Sequence, residues 1–216
     1  MSLTLYFHPL SSFCHKVLIS LYENDTPFVP HLVNLQDEAA ATAFKKIWPI
    51  GKFPVLRDDD KNRTVAESSI IIEYLDQHYP GRTRLIPHDV EKARETRMAD
   101  RFYDLHVHHM MQKIISDRLR PQGQKDLFGV DDAKKRLWVA LEMIESDMAG
   151  KRWAVDDTFS MADCAAAPAL FYADVAMPFR ATHKAVAGYL DRLMERPSYA
   201  RALKEAEPYF AMIPKP

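Results

Sequence analysis

One change of pattern constrains this chain more than any other feature. Short β-prone runs broken by turn residues fill roughly the first 80 positions, and from Asp89 onward helical periodicity replaces them. A chain written this way cannot extend one sheet through its whole length. It has to set a small α/β unit against a separate helical bundle, and 216 residues are enough for both. The expected fold class is therefore α+β, with a mixed sheet ordered βαβ-ββα followed by an all-α domain. The boundaries read as residues 1–80, a linker at 81–88 that contains Pro87, and 89–216.

Within the first unit, Leu3 to Phe7 reads as a strand and His8-Pro9-Leu10-Ser11-Ser12 as the loop that ends it. Val17, Leu18, Leu21 and Tyr22 then recur at helical spacing, with Ser11 or Ser12 as the cap. Phe28 to Leu35 reads as a second strand, parallel to the first. A charged, alanine-rich piece from Asp37 to Lys46 leads to Trp48-Pro49-Ile50-Gly51-Lys52-Phe53-Pro54-Val55-Leu56, a short strand whose Pro54 demands an edge or a special bend. Asp58 to Asn62 is a hairpin tip, Thr64-Val65-Ala66 its return, and Glu67-Ser68-Ser69 opens a helix carrying Ile70, Ile71, Tyr74 and Leu75. Helices are expected near 90–118, 131–148, 160–174, 184–195 and 198–206.

Charge excludes some functions. With 29 basic and 30 acidic side chains the formal net charge is -1, so no overall positive field gathers nucleic acid or an anionic membrane. No uncharged apolar run approaches the roughly 18 residues of a membrane-spanning helix. The start, Met1-Ser2-Leu3-Thr4-Leu5-Tyr6-Phe7, has neither the basic beginning nor the long apolar run of a signal peptide. Only Cys14 and Cys164 are present, which is no disulfide framework. A cytoplasmic protein with a small-molecule or protein partner is expected. His106, His108 and His109 lack a cysteine or carboxylate at a spacing that completes a metal shell, so no metal is expected.

Three groups carry potential chemistry. Ser11-Ser12-Phe13-Cys14 stands where a strand turns into a helix, and unpaired N–H groups at a helix start favour a thiolate or oxyanion. The serines read either as caps or as hydroxyl donors. Cys14 reads either as a reactive thiol of depressed pKa or as a small buried hydrophobe. Glu67-Ser68 offers a carboxylate, a hydroxyl and backbone N–H groups suited to the ends of an amino acid, or serves simply as a cap.

Taken together, Ser11-x-x-Cys14, Gly51-Lys52-Phe53-Pro54-Val55-Leu56 and Glu67-Ser68 ahead of Ile70-Ile71-x-x-Tyr74-Leu75 resemble the glutathione-binding domain of cytosolic glutathione transferases of the serine type. Far downstream, Phe159-Ser160-Met161-Ala162-Asp163 is similar to that family's capping box. The resemblance implies a thioredoxin-like first domain and a homodimer that conjugates glutathione, as co-substrate, to small hydrophobic electrophiles. It implies that Ser11 donates to the glutathione sulfur, with Ser12 or Cys14 as alternatives. Pro54 matches a cis-proline, Phe53 supplies backbone groups to the cysteinyl part, Glu67 and Ser68 hold the γ-glutamyl end, and Lys52 reaches a carboxylate. On the long helix, Tyr103, His106 and Met110 are expected at the substrate and Asp100 across the subunit boundary. Ala39 to Ala41 stand where related classes carry a basic residue for the glycyl carboxylate, with Lys45 and Lys46 nearby. Two alternatives accompany this: a Cys14-dependent glutathione thiol transferase or reductase, and a non-catalytic binding protein of the same fold.

Overall fold

The computed structural model describes residues 3–215. Met1 and Ser2, part of the signal-peptide reading, and Pro216, the last residue of the second domain, lie outside them. β1 (Leu3–Phe7), α1 (Ser12–Glu23), β2 (Val29–Leu32), α2 (Glu38–Ile47), β3 (Val55–Asp58), β4 (Arg63–Ala66) and α3 (Ser68–His78) form the α/β part. The sheet order is β2-β1-β3-β4, with β1 and β2 parallel and the other pairings antiparallel. This is the mixed sheet expected from the sequence. β2 is shorter than its apolar run, lies at the edge, and carries Pro30 where no ladder bond is lost. The alanine-rich piece is a helix, α2. Phe44 is the one residue it buries fully.

β1 alternates strictly between faces. Leu3, Leu5 and Phe7 enter the main core, while Tyr6 faces the smaller cluster of Val33, Phe44 and Val55 beneath α2.

The helical part comprises α4 (Val90–Phe102), a π-helical segment Tyr103–His108, α5 (His109–Arg118), α6 (Leu127–Asp147), α7 (Met161–Ala176), α8 (Lys184–Glu195) and α9 (Pro197–Ala206), with 3-10 turns at Gln122–Gln124 and Glu207–Met212. Among the described residues no helix is long and apolar enough to cross a membrane.

α1 joins the two parts, packing on α3, α7 and α9, so that one hydrophobic core runs from Leu3 to Ala202. Glu23 at its end is 5% exposed and holds Arg196, Ser198 and Thr83. Burial opposes its ionisation, but the bonds from Arg196 and Ser198 outweigh that and keep the carboxyl below its usual range. The α7 capping box forms as read: Asp163 accepts from the Ser160 N–H at 2.9 Å and also from Tyr189 Oη at 2.6 Å.

Candidate functional site

The loop between β1 and α1 is pinned from beneath. Tyr172 Oη donates to Leu10 O at 2.9 Å, and His15 Nε2–H donates to Pro9 O at 2.5 Å. Burial lowers the His15 pKa to about 4, so the ring is neutral and its donor is fixed. Ser11 caps α1: its Oγ accepts from the Cys14 N–H at 3.3 Å, which leaves its own proton available. Ser12 is the first helical residue, and its Oγ lies 2.5 Å from His108 Nε2. Cys14 is fully buried, and burial pushes its thiol up to about 12. Such burial works against a Cys14 thiolate.

Directly above, a cavity of about 330 Å³ is lined by Leu10, Ser11, Ser12, Phe13 and Phe53 of the α/β part and by His108, Met111, Gln112, Ile115 and Tyr172 of the helical part. The chain end forms its outer wall through Met212, Ile213 and Pro214. Arg118 secures that end by donating to Pro214 O at 3.2 Å and Ala176 O at 2.9 Å. The cavity is thus a hydroxyl-bearing helix start facing an apolar wall.

Beside it, the Phe53–Pro54 peptide is cis, and α3 begins at Glu67, whose φ of 68° lies in the left-handed region. A glutamate held there costs about 1–3 kcal/mol, a strain that clusters at ligand clamps. Its side chain makes no cap bond, so the first N–H groups of α3 have no side-chain cap acceptor from Glu67. Ser68 is buried next to it, and Lys52 is exposed on the loop before Pro54.

The long-helix residues need correction. Asp100 is 1% exposed and is bound within its own chain, at 2.5 Å from Lys16 Nζ and 2.7 Å from Ser69 Oγ, so it cannot reach across a subunit boundary. Tyr103 is buried beside Tyr189 and Asp163. His106 is exposed against Phe102, and Met110 does not line the cavity. The cause is the π-helical segment Tyr103–His108. A turn closed by i→i+5 bonds keeps residues four apart on one face and rotates three-residue steps away. The face is therefore Asp100, Asp104, His108, and onward to Met111 and Ile115.

Sequence reasoning missed Lys16, Ser69, Asp104 and His108. Lys16, 1% exposed, binds Asp100, Asp104 at 2.8 Å and Ser69 Oγ at 2.8 Å. Burial raises the Asp104 pKa, with Lys16 opposing. The available signal was a lysine directly before the apolar run Val17, Leu18 and Ile19, and two aspartates four residues apart on the long helix.

The model for the glutathione S-transferase N-terminal domain matches residues 5–83, and that for the C-terminal domain matches residues 115–192. A stringent starvation protein A homolog of Coxiella burnetii is 29% identical over 210 residues, covering 95% of this chain and 93% of that protein. Glutathione S-transferase GstB of Escherichia coli is 25% identical over 171 residues, covering 78% and 82%. A crystal structure of a glutathione S-transferase from Methylobacillus flagellatus with glutathione bound superposes with a TM-score of 0.85 at 25% identity, covering 93% of this chain and 98% of that one.

Proposed function

Because this chain belongs to the glutathione S-transferase family, we propose that it binds glutathione with its γ-glutamyl end at Glu67 and Ser68 and its sulfur at the start of α1, and conjugates the thiolate to small hydrophobic electrophiles. The observation that carries this is the single cavity in which Ser11 and Ser12 face Met111 and Ile115. It puts an anion-stabilising helix start and an apolar substrate wall around one reacting centre.

A free thiol titrates near about 8.5, so only roughly 3% is thiolate at pH 7. Lowering it by about two units takes about 2.7 kcal/mol of preference for the thiolate, within reach of one hydroxyl donor and a helix N-terminus together. Glutathione is then the nucleophile, the protein supplies position and anion stabilisation, and no covalent enzyme intermediate forms. Phe53 lends backbone groups to the cysteinyl part, and Lys52 is the cation for a carboxylate. The same function is expected of a cytoplasmic homodimer.

A second function, a binding protein of this fold without conjugating activity, stands beside it because a relative similar over nearly the whole chain carries a name other than transferase, a stringent starvation protein A homolog. Calorimetry with glutathione, followed by an electrophile panel, separates the two. Saturable binding with conjugate formation supports the transferase, and binding without any conjugate supports the second. The buried Cys14 thiol speaks against a Cys14-dependent thiol transferase.

A further inference from the structure

Ser12 and His108 are 96 positions apart in the chain, yet their polar atoms meet at 2.5 Å in a buried contact that joins α1 to the π-helical segment. We propose that His108 is a positioning residue for the thiol chemistry, donating its Nε2 proton to Ser12 Oγ and so turning the Ser12 hydroxyl proton into the cavity as a second donor to the glutathione sulfur. This rests on the glutathione site proposed above and adds to it a residue that acts on the sulfur through Ser12 rather than directly.

The proton assignment follows from the ring's surroundings. His108 Nδ1 is buried and has no hydrogen-bond partner among the described residues. A neutral imidazole carries one N–H, and an orphaned buried N–H is rarer than an unused acceptor, so the proton belongs on Nε2. The charged neighbours agree. His109, the next residue at the start of α5, and Lys16 on α1 act against a cationic ring, and Asp104, one turn away, is engaged by Lys16. Across from it, α7 contributes only Ala165, Pro168 and Ala169 to the enclosed space, and Phe13 packs on the ring at 4.1 Å. Burial, then those two charges, lower the His108 pKa to about 3, so the ring stays neutral throughout the working range. A hydroxyl has a single proton, and once its oxygen accepts from His108 that proton must point elsewhere. The cavity is the side that Ser12 lines.

The test is the pKa of the bound glutathione thiol, read from thiolate ultraviolet absorbance against pH, with calorimetric binding of glutathione as the control for folding. His108→Leu and Ser12→Ala are each expected to raise that pKa by about one unit. His108→Gln, whose amide nitrogen reaches the place of Nε2, is expected to stay near wild type, whereas His108→Asn, whose amide stops at the place of Nδ1, shifts like leucine. An unchanged pKa in His108→Leu overturns the proposal. If leucine is not tolerated, asparagine and glutamine both matching wild type overturn it equally. A wild-type protein that binds glutathione without lowering its thiol pKa removes the thiolate chemistry proposed above as well, which is a different outcome from a His108 variant that behaves like wild type.

Discussion

Ser11 and Ser12 are neighbours with separate tasks. The Ser11 oxygen closes the first turn of α1 and the Ser12 oxygen faces His108, so each hydroxyl retains one proton to give. A lost hydrogen bond to a charged group is worth about 1.5–3 kcal/mol. Ser11→Ala is accordingly expected to lower kcat for conjugation by roughly 10- to 100-fold. It also removes the cap, costing about 1 kcal/mol of stability that a denaturant midpoint will register. Cys14→Ala should leave kcat within about twofold of wild type, because a thiol held near 12 in the core contributes packing alone. A large loss of activity in Cys14→Ala with Ser11→Ala unaffected would reverse the two roles. Ser11, Ser12, Pro54, Glu67 and Ser68 were legible because each sits at a turn or helix start, where local residue chemistry decides conformation. Lys16 and His108 were not, since their roles depend on which elements pack together.

At the level of elements, the decisive one is the π-helical segment Tyr103–His108 between α4 and α5. Its residues, Tyr103 to His108, include no proline or glycine, so nothing in their periodicity announces a change of pitch, and steps of three and four look interchangeable. Only the buried Lys16, demanding carboxylates from Asp100 and Asp104 together, fixes the face. The consequence is measurable. Met111→Ala and Ile115→Ala remove apolar wall and are expected to raise KM for a hydrophobic electrophile by roughly 5- to 30-fold, the effect of losing about 1–2 kcal/mol of apolar contact. His106→Ala should leave KM unchanged. The opposite pattern would return the substrate face to the three-residue spacing. α2 was legible but not read: Phe44 and Ile47 stand at helical spacing among alanines, with Asp37 as the cap.

Across the whole molecule, the two parts share one core through α1, and two neutral histidines, His15 and His108, lie in or beside it. Both have folded pKa values depressed by burial, to about 4 and about 3, from an ordinary value near 6.5. Below about pH 6.5 the unfolded chain takes up protons that the folded chain refuses, so stability is full above that value and falls as pH drops toward 4. The expected slope is about 1 kcal/mol per pH unit for each ring, reduced toward the acid end by Asp104 and Asp163, whose raised values act in the opposite sense. Denaturant midpoints between pH 7 and 5 will check this, and His15→Gln should flatten the curve. The division into a mixed sheet and a helical bundle was readable from strand and helix patterning, whereas the joining of the two into one core needed the packing of α1 on α7 and α9. The central claim concerns where the tripeptide lies on this frame. A crystal structure of the protein with glutathione tests it most directly. The expected result has the sulfur within hydrogen-bond reach of Ser11 or Ser12 Oγ and the γ-glutamyl end at Glu67 and Ser68. A tripeptide bound with its sulfur away from both serines would contradict it.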